Sequence, residues 1–400
     1  MEKPKLRWID ASPFDHEGTE MILLKDTEDI ADHSLIVSKH AAFLLSLMDG
    51  TRTVEELKDE YQRTLGQIIE IEQVLGLVEA MDLNLFLMND RFVSHFLRLK
   101  DEYEKAGVRE SCLAGKGYPG ERDELLAFLD RMLSTGEVPE PEGEVTGILA
   151  PHIDYGRGGY VYRRVYRYLK GAEKPLIVLL GTCHAFTQDM WNISEKDFAT
   201  PIGIMPNSPE LCGMIKARRE LSKCVKEWPH RREHSIELQL PIIQFMTAGH
   251  KIEILPILTG SMHEQITGSK SLEDEEITIP LSSLKEVLKA YGKPYLVVAG
   301  ADLAHMGAQF GDPFILDRKI LSQSRKKDEA ILEHVKNVNA YGFFNEVRME
   351  EDRRRICGLT AIYFQLSLLE GSRSEIVGYD QWYDGRSSVS FAGGVFYAAD

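Results

Sequence analysis

Several short apolar runs in this chain end in residues that can bind a metal or move a proton. GILA is followed by Pro151, His152, Ile153 and Asp154, with Arg157 close behind. PLIVLLG is followed by Thr182, Cys183 and His184, and PYLVVAGA by Asp302, with His305 three residues on. Imidazoles and a carboxylate at several strand ends suit one shared metal ion, because buried polar groups need partners that packing does not supply. Parallel neighbours lie about 4.8 Å apart, so adjacent strands would let His152 and His184 converge on one ion. His305 has the chemistry of a proton carrier, since imidazole titrates near neutral pH. Cys183 beside His184 also suggests a nucleophile and its base. Adjacent residues on an extended chain point to opposite faces, which makes that pairing the weaker reading.

Two further segments carry reactive groups. In EHSIELQLP, His234 and Glu237 stand three residues apart, so on a helix they share a face. The spacing is not that of a zinc-protease helix. The pair reads equally as part of a site or as a helix start, with Ser235 as cap and Glu237 facing the helix dipole. In RRRICGLTAIYF, Cys357 precedes an apolar helical run and follows Arg353, Arg354 and Arg355 by a few residues. A thiol at a helix N-terminus among cations should have a lowered pKa, which suits thiolate chemistry or metal ligation. The alternative is a small buried residue.

The elements that must position these groups follow a regular pattern. VTGILA, PLIVLLG, KIEILPILTG and PYLVVAGAD alternate with helical stretches such as VYRRVYRYLKG, HSIELQLPIIQFMTAG and LSSLKEVLKAYG. This predicts an α/β domain around a mainly parallel sheet covered on both faces, with ligands outside the carboxyl ends of the strands. SEIVGYDQWYDG and SSVSFAGGVFYAAD read as two strands closing the sheet. SLEDEEITIP (271–280) reads as a solvated loop, and GEVPEPEGE (136–144) as a Pro/Glu/Gly loop. Residues 91–108 predict a charged connecting helix. Residues 1–90 predict a winged-helix-like unit of two strands (MILLKD, HSLIVS) and three helices, one entered through a capping box at Thr53 and Glu56.

Composition narrows the function classes. The 400 residues carry a formal net charge of −16, which argues against binding nucleic acid through phosphates. There is no apolar stretch long enough for a membrane span, and MEKPKLRWID lacks the apolar core of a signal peptide. Five cysteines without a regular framework fit a reducing compartment. The expectation is a cytoplasmic protein with no nucleic-acid or membrane partner.

The ordered segments APHIDYG, GTCHAF, EHSIELQLP, ADLAHMG, ICGLTA and SSVSFAGG, preceded by AGKGYPGERDELLAFL, resemble the Memo family from about residue 109 to the end. The resemblance implies a three-layer α/β metal-binding domain over 109–400, sharing its fold with class III extradiol dioxygenases. It implies one metal ion, Fe(II) or Cu foremost and Zn as the alternative, held by His152, His184 and Cys357. Asp302, His305, His234 and Glu237 would be catalytic groups in the same pocket, with His305 in the place of the dioxygenase acid/base histidine. The chain departs from the family pattern at Cys183 (often serine), at Asp154 (usually glycine) and at Leu359-Thr360-Ala361 (often Arg-His-Pro). Those departures bear on the substrate pocket, where Asp154, Arg157 and Cys183 are candidate contacts. Asp154 and Arg157 either meet a polar substrate or pair with each other.

MILLKD through HAAFLLSLMDGTRTVEELKDEY resembles the PqqD-like domain, whose relatives hold peptides for radical-SAM enzymes. Bacterial Memo relatives are commonly called AmmeMemoRadiSam system protein B, after accompanying AMMECR-like and radical-SAM proteins. Together the resemblances imply a metal-dependent redox enzyme with a dioxygenase-like site, acting with such partners and binding a peptide through residues 1–90. One alternative is a non-catalytic adaptor or metal carrier that presents a peptide or partner protein. Another is a metal-dependent hydrolase, with Glu237 or His305 as base toward a metal-bound water.

Overall fold

The computed structural model describes residues 3–31, 33–134, 143–170, 174–185, 187–248 and 250–399. Most of the GEVPEPEGE loop, and Phe186 at the end of GTCHAF, lie outside the described residues. The chain forms two units, Met1–Lys105 and Ala106–Asp400. Among the described residues no helix is long and apolar enough to cross a membrane.

The first unit holds a three-stranded antiparallel sheet of β1 (Asp10–His16), β2 (Thr19–Lys25) and β3 (Leu35–Ser38). The sequence pattern marks only β2 and β3. DASPFDH is polar and mostly exposed, so β1 has no apolar alternation; it forms because the Glu17–Gly18 turn, with positive φ at both residues, folds it onto β2. Helices Lys39–Ser46, Val54–Leu65 and Ile71–Leu83 follow, the second with the Thr53–Glu56 capping box. Leu24, Leu44, Leu57, Val74 and Phe86 join sheet and helices in one apolar cluster. Helix Asp90–Lys105 ends the unit.

The second unit contains β4 (Val108–Arg109), β5 (Val145–Ala150), β6 (Leu176–Thr182), β7 (Trp191–Ile193), β8 (Asp197–Thr200), β9 (Gly203–Met205), β10 (Glu253–Thr259), β11 (Tyr295–Gly300), β12 (His305–Gly307), β13 (Arg373–Tyr383) and β14 (Ser387–Tyr397). β4, β8 and β9 make a small separate sheet. The main sheet has eight strands in the order β12-β14-β5-β11-β6-β10-β7, with β13 paired to β14. Its four central strands, β5, β11, β6 and β10, are parallel. The flanking pairings are antiparallel, so the sheet is mixed. A short connection between β13 and β14 allows no crossover, which forces that pair antiparallel.

Alternation along the central strands builds three layers. Leu176, Val178 and Leu180 face one apolar cluster, whose helices include Glu275–Tyr291 and Leu359–Leu368. Ile177 and Leu179 face the other, whose helices include Arg122–Leu133 and Tyr155–Tyr166. The expectation of a loop over 271–280 is corrected here. Glu275 and Glu276 are first-turn residues of helix Glu275–Tyr291, where acidic side chains suit the dipole, and Ile277, Pro280 and Leu284 are buried.

Two strand-end glycines prepare the site. A Cβ on Gly181 would lie 2.6 Å from Ser235 Oγ, and one on Gly300 would lie 2.5 Å from Ser235 O. Only glycine lets the short helix His234–Glu237 lie so close to the ends of β6 and β11.

Candidate metal centre

The reactive groups gather at the carboxyl ends of the parallel strands. His152 follows β5, His184 follows β6 and Asp302 follows β11. β11 lies between β5 and β6, so the strands bearing the two histidines are not neighbours. The rings instead reach across the Asp302 segment, with centroids 5.1 Å apart. His234 rises from the start of its helix and stacks on His184 at 4.6 Å, and it meets His152 edge-on at 5.4 Å. One nitrogen from each of the three rings lies within 4.8 Å of the others.

Hydrogen bonds select which nitrogen is free. His152 Nδ1 lies 2.9 Å from the Gly300 carbonyl oxygen. His184 Nδ1 lies 2.9 Å from Glu233 Oε1, and His234 Nδ1 lies 3.2 Å from the same oxygen. A carbonyl and an ionised carboxylate only accept, so Nδ1 of His152 and of His184 carries the proton, and in the neutral ring Nε2 keeps its lone pair. Burial, with His184 and His234 nearby, holds His152 well below the usual imidazole range. Burial also lowers His234. For His184 burial opposes the charge, but the Glu233 carboxylate outweighs it and the pKa is raised. Fixed tautomers and a carboxylate behind the rings are the surroundings of metal-binding histidine. These residues therefore fit a metal ion, and an all-imidazole set suits zinc, copper or iron.

Cys357 stands beside this trio. Its Sγ lies 3.3 Å from His152 Nε2 and 3.7 Å from the Asp302 carbonyl oxygen. Thr182 Oγ1 donates to Cys357 O at 3.0 Å and Gly358 N donates to Asp302 O at 3.0 Å, tying the thiol loop to the ends of β6 and β11. His234 thus completes the nitrogen cluster where the resemblance implied the thiol, and Cys357 is a neighbouring fourth donor. The expected lowering of its pKa is corrected. Burial, and then Asp302, push the thiol well above its usual range. Arg353 pairs with Glu351, Arg354 with Asp328 and Glu350, and Arg355 with Asp312.

A cavity of about 690 Å³ opens over the trio, and Cys183, Asp302 and His305 also line it. Asp302 accepts from His152 N at 2.9 Å, and burial pushes its carboxyl up to about 7. His305 turns Nδ1 to Leu303 O at 3.0 Å and sets its ring edge-on to Phe310; burial holds it down to about 4. Asp154 caps helix Tyr155–Tyr166, accepting from Arg157 N at 3.1 Å, and pairs with the Arg157 guanidinium. That guanidinium lies 4.6 Å over the Trp382 ring. The two residues therefore pair with each other, and both line the cavity. The Cys183–His184 dyad does not form: His184 Nδ1 is engaged by Glu233, and Cys183 Sγ lies 3.6 Å from Ala185 O.

Glu237 is the clearest departure from expectation. It is fully buried behind its helix, paired with the fully buried Arg109, and does not line the cavity. It accepts from Leu113 N at 2.8 Å, Cys112 N at 3.0 Å and Tyr118 OH at 2.7 Å. A buried guanidinium requires a carboxylate, and β4 brings the Arg109 guanidinium to Glu237 on this side. Ser235 is not the cap either. Glu233 caps the helix, accepting from His234 N and Ser235 N, while Ser235 Oγ donates to Thr182 O. Sequence reasoning missed Glu233 and Arg109. Glutamate is a poor N-cap by preference, and its place directly before His-Ser-Ile-Glu was the available signal.

Fold and site together define an α/β protein whose strand ends gather three histidines that could hold a metal ion, beneath a cavity. The family described as Memo-like protein matches residues 109–395, and the chain belongs to the Memo family. A MEMO1 family protein of Aquifex aeolicus is 28% identical over 400 residues, covering 99% of this chain and 100% of that protein. One from Thermococcus kodakarensis is 28% identical over 263 residues, covering 63% and 84%. Among solved structures, an uncharacterized protein from Escherichia coli K12 aligns with a TM-score of 0.38 at 13% identity, covering 62% of this chain and 99% of that one.

Proposed function

We propose that the chain is a metal-dependent oxidoreductase acting on a small polar molecule in the cavity. One ion would be held by Nε2 of His152, His184 and His234, with Cys357 Sγ beside them. The observation that carries this is the convergence of three imidazole nitrogens within 4.8 Å on the wall of a cavity of substrate size. An iron or copper ion there would supply electron transfer with the substrate, and Cys357 Sγ would add a soft donor on giving up its proton. The chain's own groups bind and move protons. His305, with Nδ1 fixed on Leu303 O and its ring neutral, takes a proton at Nε2. Arg157, held by Asp154 and Trp382, orients an electron-rich substrate group. Radical-SAM and AMMECR-like proteins are part of this proposal as partners, with a peptide on the first unit; co-purification with the full chain checks that part.

One observation favours a hydrolase as the second reading: three imidazoles beside an accessible cavity are also a donor set for catalytic zinc. Anaerobic isolation followed by metal analysis and oxygen uptake separates the two. Iron or copper, with uptake abolished by His184→Ala, supports the oxidoreductase. Zinc without oxygen uptake supports the hydrolase. Wild-type protein that binds no metal overturns both.

A further inference from the structure

One buried carboxylate serves two of the three histidines. Glu233 is 5% exposed, and its Oε1 lies 2.9 Å from His184 Nδ1 and 3.2 Å from His234 Nδ1. The same oxygen accepts from His234 N at 2.9 Å and Ser235 N at 3.0 Å, while Oε2 accepts from His184 N at 2.7 Å. Four of these groups donate N–H to the carboxylate, from two segments that are remote in sequence, the end of β6 and the start of helix His234–Glu237; His234 Nδ1 makes an ion-pair contact with the same oxygen. His152 is oriented independently, by the Gly300 carbonyl.

We infer that Glu233 is the positioning residue of the metal centre, setting the affinity of the site by holding His184 and His234 as a coupled pair. The argument is geometric and rests on the metal-site reading above. A carboxylate behind Nδ1 fixes the tautomer that leaves Nε2 free and makes the ring a stronger donor. Here one carboxylate does so for His184, lies against Nδ1 of the His234 ring stacked on it, and fixes the backbone of both. Glutamine at this position has one accepting oxygen and a donating NH₂ group, so at least one of the four N–H groups meets a donor. Aspartate keeps the accepting character but is one methylene shorter, so it restores the site in part. A residue that merely capped the helix would affect stability and leave ring tautomers and metal affinity alone.

The test uses the full-length, metal-free chain titrated with Co²⁺ or Zn²⁺ against a chromophoric chelator, with absorption of the Co²⁺ form as the spectroscopic signature. Expected is a 10- to 100-fold (order of magnitude) loss of affinity in Glu233→Gln, a changed Co²⁺ spectrum, and partial recovery in Glu233→Asp. Affinity within about twofold of wild type and an unchanged spectrum in Glu233→Gln overturn the inference while leaving the metal site standing. Wild type that takes up neither ion overturns the site and the inference together. If Glu233→Gln does not fold, ¹⁵N imidazole spectra of metal-free wild type at alkaline pH decide. A proton on His184 Nδ1 supports the inference, and a proton on its Nε2 overturns it.

Discussion

At the scale of single residues, the difference between His234 and Glu237 is instructive. They stand three positions apart on one short helix, yet one faces the cavity and the other is sealed beneath it. Glu237 holds Arg109 in the interior, so its role is structural. Replacing Arg109 with methionine leaves a buried carboxylate without its cation, and breaking such a pair costs about 3–5 kcal/mol. Urea unfolding of Arg109→Met should show that loss. Its pH dependence follows from the same pair. Burial opposes the Glu237 charge, but Arg109 and the N–H and O–H donors outweigh it and lower the pKa. The unfolded chain therefore takes up this proton first as pH falls. The stabilisation is complete above the unfolded glutamate value of about 4.3 and is lost as pH falls through the lower folded value. The stability gap between wild type and Glu237→Gln should be constant near neutrality and shrink below about pH 4. A gap that widened there would refute the assignment.

At the scale of elements, the site depends on how closely a helix approaches two strand ends. Gly181 closes that approach from β6, where a Cβ would lie 2.6 Å from Ser235 Oγ and 2.7 Å from Ile236 Cγ1. Gly181→Ala forces the helix away or strains the core, at about 1–3 kcal/mol for overpacking. Because the same helix carries His234 and its cap Glu233, metal affinity should fall along with thermal stability. Gly213 offers a control: it lies in helix Pro209–Lys216 with nothing within 4 Å of an added Cβ. Gly213→Ala should preserve both properties, as calorimetry and metal titration can show.

At the scale of the whole molecule, the chain divides into two units, and among the described residues the histidine cluster belongs to the second. A ligand that binds the folded state alone stabilises it by about 2.7 kcal/mol at a hundredfold excess over Kd. Scanning calorimetry of the full chain should show metal raising the transition of residues 106–400 and leaving that of residues 1–105 in place. A chelator should reverse the shift, and His184→Ala should abolish it. A shift of both transitions would mean that metal binding couples the units.

Much of this organisation was legible in the residues. Strand ends carrying His152, His184 and Asp302 followed from apolar runs broken by polar residues, because a parallel sheet places successive strand ends on one side. SEIVGYDQWYDG and SSVSFAGGVFYAAD were legible as two strands closing the sheet, and they form β13 and β14. Polar β1 was illegible because its partner, not its own pattern, makes it a strand. The helix beginning at Glu275 was hidden by acidic residues that suit a first turn as well as a loop.

The sequence by itself determined which segments end at the crevice and that imidazole, thiol and carboxylate are available there. These are local properties of periodicity and residue type. Tertiary structure decided the rest: β11 between the two histidine strands, His234 in the cluster, Glu237 beneath it, Cys357 without a cation, and Glu233 behind two rings. Each depends on which group from a remote segment comes within a few ångströms. In a low-dielectric interior that neighbour, more than the side chain's own chemistry, sets its orientation and charge.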